Sequence, residues 1–431
     1  MAEIHPFRGY RYNPVQINDP SSLFVPPYDV ISPKQLAAFR KTNPYNYIHL
    51  TLAKPTQDDK PYQSVRRKLQ AWVKKQVMIQ DELPAIYFYT LDYSVDSDIA
   101  LIPGRKKIKK SLSGFISLVK VESYESGMVI PHEVTFPTPR LDRMQLLSDT
   151  EAHLEPVYCL YEDRKMTIQT LLKSAVQGKP DIRLKDGNGT LHRFWKIDDP
   201  VVLKLLQKSM KNKSLLIADG HHRYGAALEY RDKLKRENPA IPDTHPSNYI
   251  MMFLANMDDS DLFIAPTHRL VKSTNNLDNL SLMDKLGVDF KIISSPMKTQ
   301  LKSRSWLIDE MNKYKPSQNV IGFYDGNYHL LVYKKDVKSE NKLDTEIVRD
   351  KIIQEIFDLN KSEQLYKNTG YSHSYSEALE KIDKGDFEYA FILRTPDIHD
   401  VKKICAAGRM MPQKSTYFYP KPLSGLVVSV F

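Results

Sequence analysis

Residues 217–223 read Ile-Ala-Asp-Gly-His-His-Arg, directly after the apolar pair Leu215-Leu216. The pattern predicts a buried strand that ends in a small turn. A helix then begins at once with Tyr224-Gly225-Ala226-Ala227-Leu228-Glu229-Tyr230. Such a junction gathers an acidic side chain, two imidazoles, a guanidinium and the N–H groups of a helix start. Those N–H groups and the positive end of the helix dipole favour an anion, phosphate above all. Gly220 lets the backbone approach a ligand or adopt positive φ. Arg223 suits two-pronged clamping of phosphate oxygens. Asp219 suits a magnesium ion or a substrate hydroxyl. His221 and His222 point in different directions, one to phosphate and one into packing. The plainer alternative is a helix start with satisfied histidines. A zinc site is a rival, but adjacent histidines without a His-x-x-x-His repeat fit it poorly.

Two further segments carry chemistry. Pro131-His132-Glu133 follows the apolar stretch Met128-Val129-Ile130. A Glu held beside a His in a proline-stiffened segment suits a general base, because environment can lift a carboxylate toward neutrality. Exposure to water at a strand edge is the alternative. The third segment is residues 408–421, where Lys414, Ser415 and Thr416 precede the aromatic triplet Tyr417-Phe418-Tyr419. Lys414 suits a phosphate or carboxylate partner, but the glycine spacing of a phosphate-binding P-loop is absent. The triplet also suits a strand that buries its aromatics. Arg8, Arg11 and Asp29, and Thr267-His268-Arg269 after Ala265-Pro266, are weaker candidates of the same kind.

The elements that must position these residues follow from periodicity. Val65, Leu69, Trp72, Val73 and Val77 share a helical face, and residues 85–93 read as a strand. Residues 111–275 alternate strand and helix. Strands are predicted at 113–121, 156–161, 215–218 and 249–256. Helices are predicted at 140–152, 168–176 and 201–208. Residues 322–334 suggest a hairpin turning at Asp325-Gly326. Helices are expected over 345–357 and 376–384, and strands over 388–393 and 425–431. The fold class is α/β (α+β). Three regions are expected: 1–110, a central region of alternating strand and helix at 111–275, and 276–431, the outer two being α+β.

Composition narrows the class. The 431 residues suffice for two or three domains. Apolar residues at 41% and charged residues at 26% fit a globular chain rather than a disordered one. The net charge of +10 permits nucleic-acid contact, but the one dense run, residues 105–110, reads as a solvated loop or strand edge. Only Cys159 and Cys405 are present, so there is no disulfide framework and no cysteine-based zinc site. No segment reads as a signal peptide or membrane span, and the expected location is the cytoplasm.

In order, the distinctive segments are Pro6-Phe7-Arg8-Gly9-Tyr10-Arg11-Tyr12, Val25-Pro26-Pro27-Tyr28-Asp29-Val30-Ile31, Asn43-Pro44-Tyr45-Asn46, Pro131-His132-Glu133, Ala218-Asp219-Gly220-His221-His222-Arg223-Tyr224, Pro266-Thr267-His268-Arg269, and Met411-Pro412-Gln413-Lys414-Ser415-Thr416-Tyr417-Phe418-Tyr419-Pro420-Lys421. Together they resemble the domain-of-unknown-function 1015 family over nearly the whole chain. Asp-Gly-His-His-Arg also resembles the nucleotide-phosphate motif of the ParB/sulfiredoxin superfamily, which includes kinases of free L-serine. The resemblance implies a ParB/sulfiredoxin-like central domain, with ATP and Mg²⁺ as cofactors and L-serine as acceptor. It implies Glu133, Asp219 and His221 as catalytic, Gly220, His222 and Arg223 as nucleotide-binding, and Asp219 as metal ligand. His132, Arg269, Lys414, Ser415 and Thr416 are the candidates for binding substrate. The expected product is O-phospho-L-serine. The alternative is a ParB-like nucleotide-dependent DNA-binding or regulatory protein without kinase activity. Against it, no helix-turn-helix is legible, so nucleic acid is not the expected partner.

Overall fold

A computed structural model describes residues 2–431 except 18, 54–61, 103–106, 134–136, 274–276, 336–341 and 413. Arg105 and Lys106 of the basic run, residues 134–136 after Glu133, and Gln413 therefore lie outside the described residues. The protein is a mixed α/β chain that divides into two compact units. One comprises residues 1–93, 110–262 and 420–431; the other comprises 94–109 and 263–419. This grouping differs from three consecutive regions. A boundary falls at 109/110, but residues 1–93 and 110–262 share one unit, and their strands hydrogen-bond in one sheet.

The first unit is built on a nine-stranded sheet. Its order is Val129–Ile130, Leu215–Asp219, Val157–Tyr161, Tyr249–Asn256, Lys107–Lys120, Ile86–Asp96, Leu191–Ile197 and Ile182–Lys185, with Ile4–His5 paired to Lys107–Lys120. Leu215–Asp219 runs parallel to Val129–Ile130 and antiparallel to Val157–Tyr161. The middle strands are buried along their length, as their unbroken apolar runs require of strands covered on both faces. Val157, Cys159, Leu215, Ile217, Met252 and Leu254 share one core with Tyr224 of the helix His221–Glu237. Burying each large apolar side chain contributes about 2 kcal/mol. The helices Pro137–Thr150 and His221–Glu237 pack on each other.

One irregularity prepares the site. Leu216 and Ile217 pair in step with Leu160 and Cys159, but the next pair is Asp219 with Tyr158. Ala218 is thus an extra residue in the ladder, a bulge that bends the strand end just before Asp219.

The second unit carries a six-stranded antiparallel sheet, ordered Phe290–Ser294, Tyr328–Tyr333, Val320–Tyr324, Tyr389–Ile392, His268–Val271 and Thr369–Ser372. The expected hairpin is there: Tyr324 faces Tyr328, Gly326 has φ of 97° and the Asp325 carboxylate accepts from the Asn327 N–H. Residues expected as one helix from 345 form Asp344–Ile347 followed by a π-helical stretch, Val348–Gln354. The expected C-terminal strand shrinks to Ser429–Val430.

Gly114 shows how closely the central strands approach. A Cβ there would lie 2.5 Å from the Leu254 carbonyl oxygen and 2.6 Å from the Phe253 ring. The backbone oxygen cannot swing away, so G114A should lower unfolding free energy by about 2 kcal/mol in urea titration. An unchanged midpoint would contradict the pairing.

Candidate functional site

The chain leaves the bulged strand at Asp219 and turns at Gly220, whose φ is 91°. An L side chain is strained there. A Cβ would also stand 2.9 Å from Nε of Arg223, so glycine is what lets that guanidinium fold back over the turn. The 17-residue helix His221–Glu237 then begins without a side-chain cap. Its first-turn N–H groups have no acceptor within the helix, and the dipole adds positive potential at the same point. The strand end, glycine turn and helix start stand where the sequence places them.

The two histidines of the turn diverge as expected. His222 is half-buried, whereas His221 is buried and points inward. Nε2 of His221 accepts the backbone N–H of His132 at 3.3 Å, and the two rings meet edge to face with centroids 4.5 Å apart. His132 places Nδ1 2.6 Å from the Ile217 carbonyl oxygen, and its Nε2 lies 3.7 Å from Oε1 of Glu133. Burial, then the neighbouring His132, push His221 down to about 3. It is neutral near pH 7, with Nε2 already committed to an amide. His221 therefore acts as a brace that fixes the Pro131-His132-Glu133 segment against the turn. Glu133 keeps 20% of its side chain exposed and belongs to the same group of residues.

Beside the helix start lies a closed network of charges. Arg223 reaches Asp219 at 2.6 Å and Glu155 at 3.7 Å, and donates to the Pro156 carbonyl. Lys421 contacts the other Asp219 oxygen at 2.6 Å and Asp29 at 2.8 Å. Arg143 lies over the Tyr28 ring, 4.3 Å from its centroid. Burial disfavours the Lys421 ammonium, but Asp219 and then Asp29 outweigh it and hold the group above its ordinary range. Burial raises the Glu155 carboxyl, against the pull of Arg223 and Arg143. Arg223 is thus engaged by protein acceptors rather than held open as a clamp. A phosphate drawn to the helix start would compete with Asp219 for the same two cations.

The structure brings Glu133, His132, Asp219, Gly220, His221, His222 and Arg223 into the first unit. Arg269, Lys414, Ser415 and Thr416 belong to the second. There Arg269 is buried, donates to the carbonyls of Thr267 and Lys414 at 3.2 and 3.0 Å, and lies over the Tyr371 ring. Ser415 is fully buried and donates to the Pro412 carbonyl. Lys414 has φ of 56° and is exposed, and Thr416 leads into the strand Tyr417–Tyr419. Arg269 and Ser415 thereby bind the backbone carbonyls of Lys414 and Pro412. Arg8 and Arg11 both bond to Asp81.

Sequence reasoning did not single out Lys421, Glu155, Arg143 or Tyr28. Lys421 closes a segment whose neighbours drew attention first. Glu155 had a signal: an acid between apolar Leu154 and Pro156, where burial forces pairing.

A resident metal does not fit this arrangement. Each Asp219 oxygen already faces a cation, and no group of three or more His, Cys, Asp or Glu able to hold a metal occurs among the described residues.

Fold and turn define a mixed α/β protein with an anion-ready strand–helix junction. The model of the family described as a protein of unknown function, DUF1015, matches residues 4–356, and the chain belongs to that family. No curated protein matches it. Similar solved structures include a mutant free serine kinase in complex with AMP, at 12% identity and TM-score 0.36, covering 70% of this chain and 87% of that one. A conserved hypothetical protein from Pyrococcus furiosus matches at 12% identity and TM-score 0.34, over 72% and 93% of the two chains. C-terminally truncated SbnI from Staphylococcus aureus matches at 9% and 0.34, over 72% and 85%. Among the described residues no helix is long and apolar enough to cross a membrane.

Two outcomes follow from the buried charges. K421M leaves Asp219 and Asp29 without their shared cation, so unfolding free energy should drop by about 3 kcal/mol in urea titration. A loss within error of zero would show that the bridge is dispensable. The second concerns pH. His153, buried beside Phe431 with neither ring nitrogen partnered among the described residues, is also pushed down to about 3 by burial. An unfolded chain protonates such a ring below about pH 6.5 and the fold does not. Stability is therefore full above pH 6.5 and falls as pH drops, by about 1.4 kcal/mol per unit for each histidine. Glu155 acts in the opposite direction, so the comparison with H153L isolates the imidazole. The urea midpoint of H153L should fall less than wild type between pH 6.5 and 5; equal slopes would contradict the account.

Proposed function

We propose that the chain is an ATP-dependent kinase that phosphorylates the hydroxyl of free L-serine, releasing O-phospho-L-serine and ADP. The observation that carries the reading is the uncapped helix start after Gly220, with Glu133 held in the same group through His132 and His221. Phosphoryl transfer asks little covalent work of a protein. It asks for positioned phosphates, balanced charge and a base near the nucleophile.

The first-turn N–H groups from His221 to Arg223 receive phosphate oxygens of the nucleotide. Arg223 and Lys421 supply compensating charge as Asp219 yields contacts to the incoming phosphates. Glu133 accepts the serine hydroxyl proton as the oxygen–phosphorus bond forms and the bond to the bridging oxygen of ADP breaks. Any Mg²⁺ would arrive with the nucleotide and would neutralise charge on its phosphates, since both Asp219 oxygens already face cations. The serine acceptor rests on the motif resemblance, and the phosphate site rests on the geometry.

Purified protein with ATP, MgCl₂ and L-serine should yield O-phospho-L-serine with equimolar ADP. E133Q should lower kcat by about a hundredfold or more while nucleotide binding persists. Absence of phosphoserine, or full turnover in E133Q, would overturn the reading. Steeply salt-dependent DNA binding without turnover would favour the nucleotide-dependent DNA-binding alternative.

A further inference from the structure

The second unit holds a cleft of about 690 Å³ that the proposed phosphoryl transfer does not use. Its volume lies in the range of small-molecule sites. Asn319, Asp344, Thr345 and Arg394 form one wall, and Asp397 and Asp400 lie on the helix-start side.

The wall has unused hydrogen-bonding capacity. The Asn319 side-chain N–H₂ donates to the Asp344 carboxylate at 2.7 Å and to the Lys342 carbonyl at 3.2 Å. Those two acceptors fix the amide orientation, which leaves Oδ1 as an acceptor. Oδ1 of Asn319 and Oγ1 of Thr345 are both buried without a partner among the described residues. Asn319 is 7% and Thr345 is 4% exposed. Leaving such groups unpaired is costly, and two of them on one cleft wall mark a place for a ligand.

The cations of the lining are already committed. Arg394 donates to the carbonyls of Tyr314, Lys315 and Gln318, and its Nε lies 3.6 Å from Asp344. Lys342 pairs with Asp350 at 3.4 Å. What the cleft offers is therefore oxygen acceptors, with the carboxylates of Asp344, Asp397 and Asp400 adding negative potential. An anionic ligand would meet no uncommitted cation here. A neutral polyol would bring no charge to the negative potential of Asp344, Asp397 and Asp400.

We propose that this cleft binds a small primary-ammonium compound, its charged nitrogen seated against Asp344, Asn319 Oδ1 and Thr345 Oγ1. Three acceptors match the three N–H bonds of an ammonium. Burial raises the Asp344 carboxyl, against the lowering influence of Arg394, and a second cation would favour its ionised form.

The test is calorimetric titration of the full chain with 1,4-diaminobutane and, separately, with neutral ribitol. The diamine should saturate with Kd of about 1 mM or tighter, and ribitol should give no saturable heat. D344N should weaken the diamine by about tenfold or more, with circular dichroism confirming the fold. T345V removes a hydroxyl that has no partner among the described residues. Its thermal stability should hold or rise while diamine affinity falls about threefold or more, so it keeps the test decisive if D344N does not fold. Failure of the diamine to saturate, ribitol binding as tightly, or unchanged affinity in T345V would overturn the proposal. None of these outcomes depends on kinase turnover.

Discussion

Lys421 ties the site together. One ammonium, almost wholly removed from water, bridges Asp219 at the strand end and Asp29 near the start of the chain. A buried cation of this kind persists only if its partners are in place, because the cost of desolvation exceeds what a single imperfect contact returns. Asp219 is further fixed by Arg223, which is tied in turn to Glu155 and the Pro156 carbonyl. Four segments, at Asp29, Glu155-Pro156, Asp219-Arg223 and Lys421, are thus tied around a turn whose positive φ favours glycine.

The same network alters how the Asp-Gly-His-His-Arg motif is understood. Read as a string, it suggests an open arginine clamp and an acidic metal ligand. In the fold, arginine and aspartate face each other, and the lysine of a remote segment completes the pairing. The resting site is neutralised internally, so under the proposed function a phosphate would exchange for the Asp219 carboxylate rather than fill an unpaired positive pocket. That arrangement limits the penalty of holding cations in a buried place before ligand arrives. His221 follows the same logic. Its neutral ring accepts the His132 amide, next to Glu133 in the chain.

Much of the first unit was legible in the chain. The strand before Asp219, the helix after Gly220 and the central strand Tyr249–Asn256 all follow from apolar runs and turn residues. The hairpin at Asp325-Gly326 follows from turn chemistry. The rest depends on contacts that sequence spacing does not encode. The bulge at Ala218 exists only relative to its partner strand. Lys421 and Asp29 are nearly four hundred residues apart, and no local pattern announces that they share a neighbour. The segment around Lys414 and Ser415 has residue types that suit a phosphate or carboxylate, without the glycine spacing of a P-loop. In the fold, Ser415 is spent on its own turn. The helices Asn279–Asp289 and Gln300–Lys313 were missed because polar residues interrupt their apolar faces.

The central claim is that the helix start at residues 221–223 receives nucleotide phosphates. A crystal structure with a non-hydrolysable ATP analogue tests it directly. The account predicts terminal phosphate oxygens within about 3 Å of the backbone nitrogens of His221, His222 or Arg223. It also predicts that Asp219 gives up its contact with Lys421 or Arg223. A nucleotide bound elsewhere, with the Asp219–Lys421–Asp29 bridge intact and the helix start bare, would contradict it.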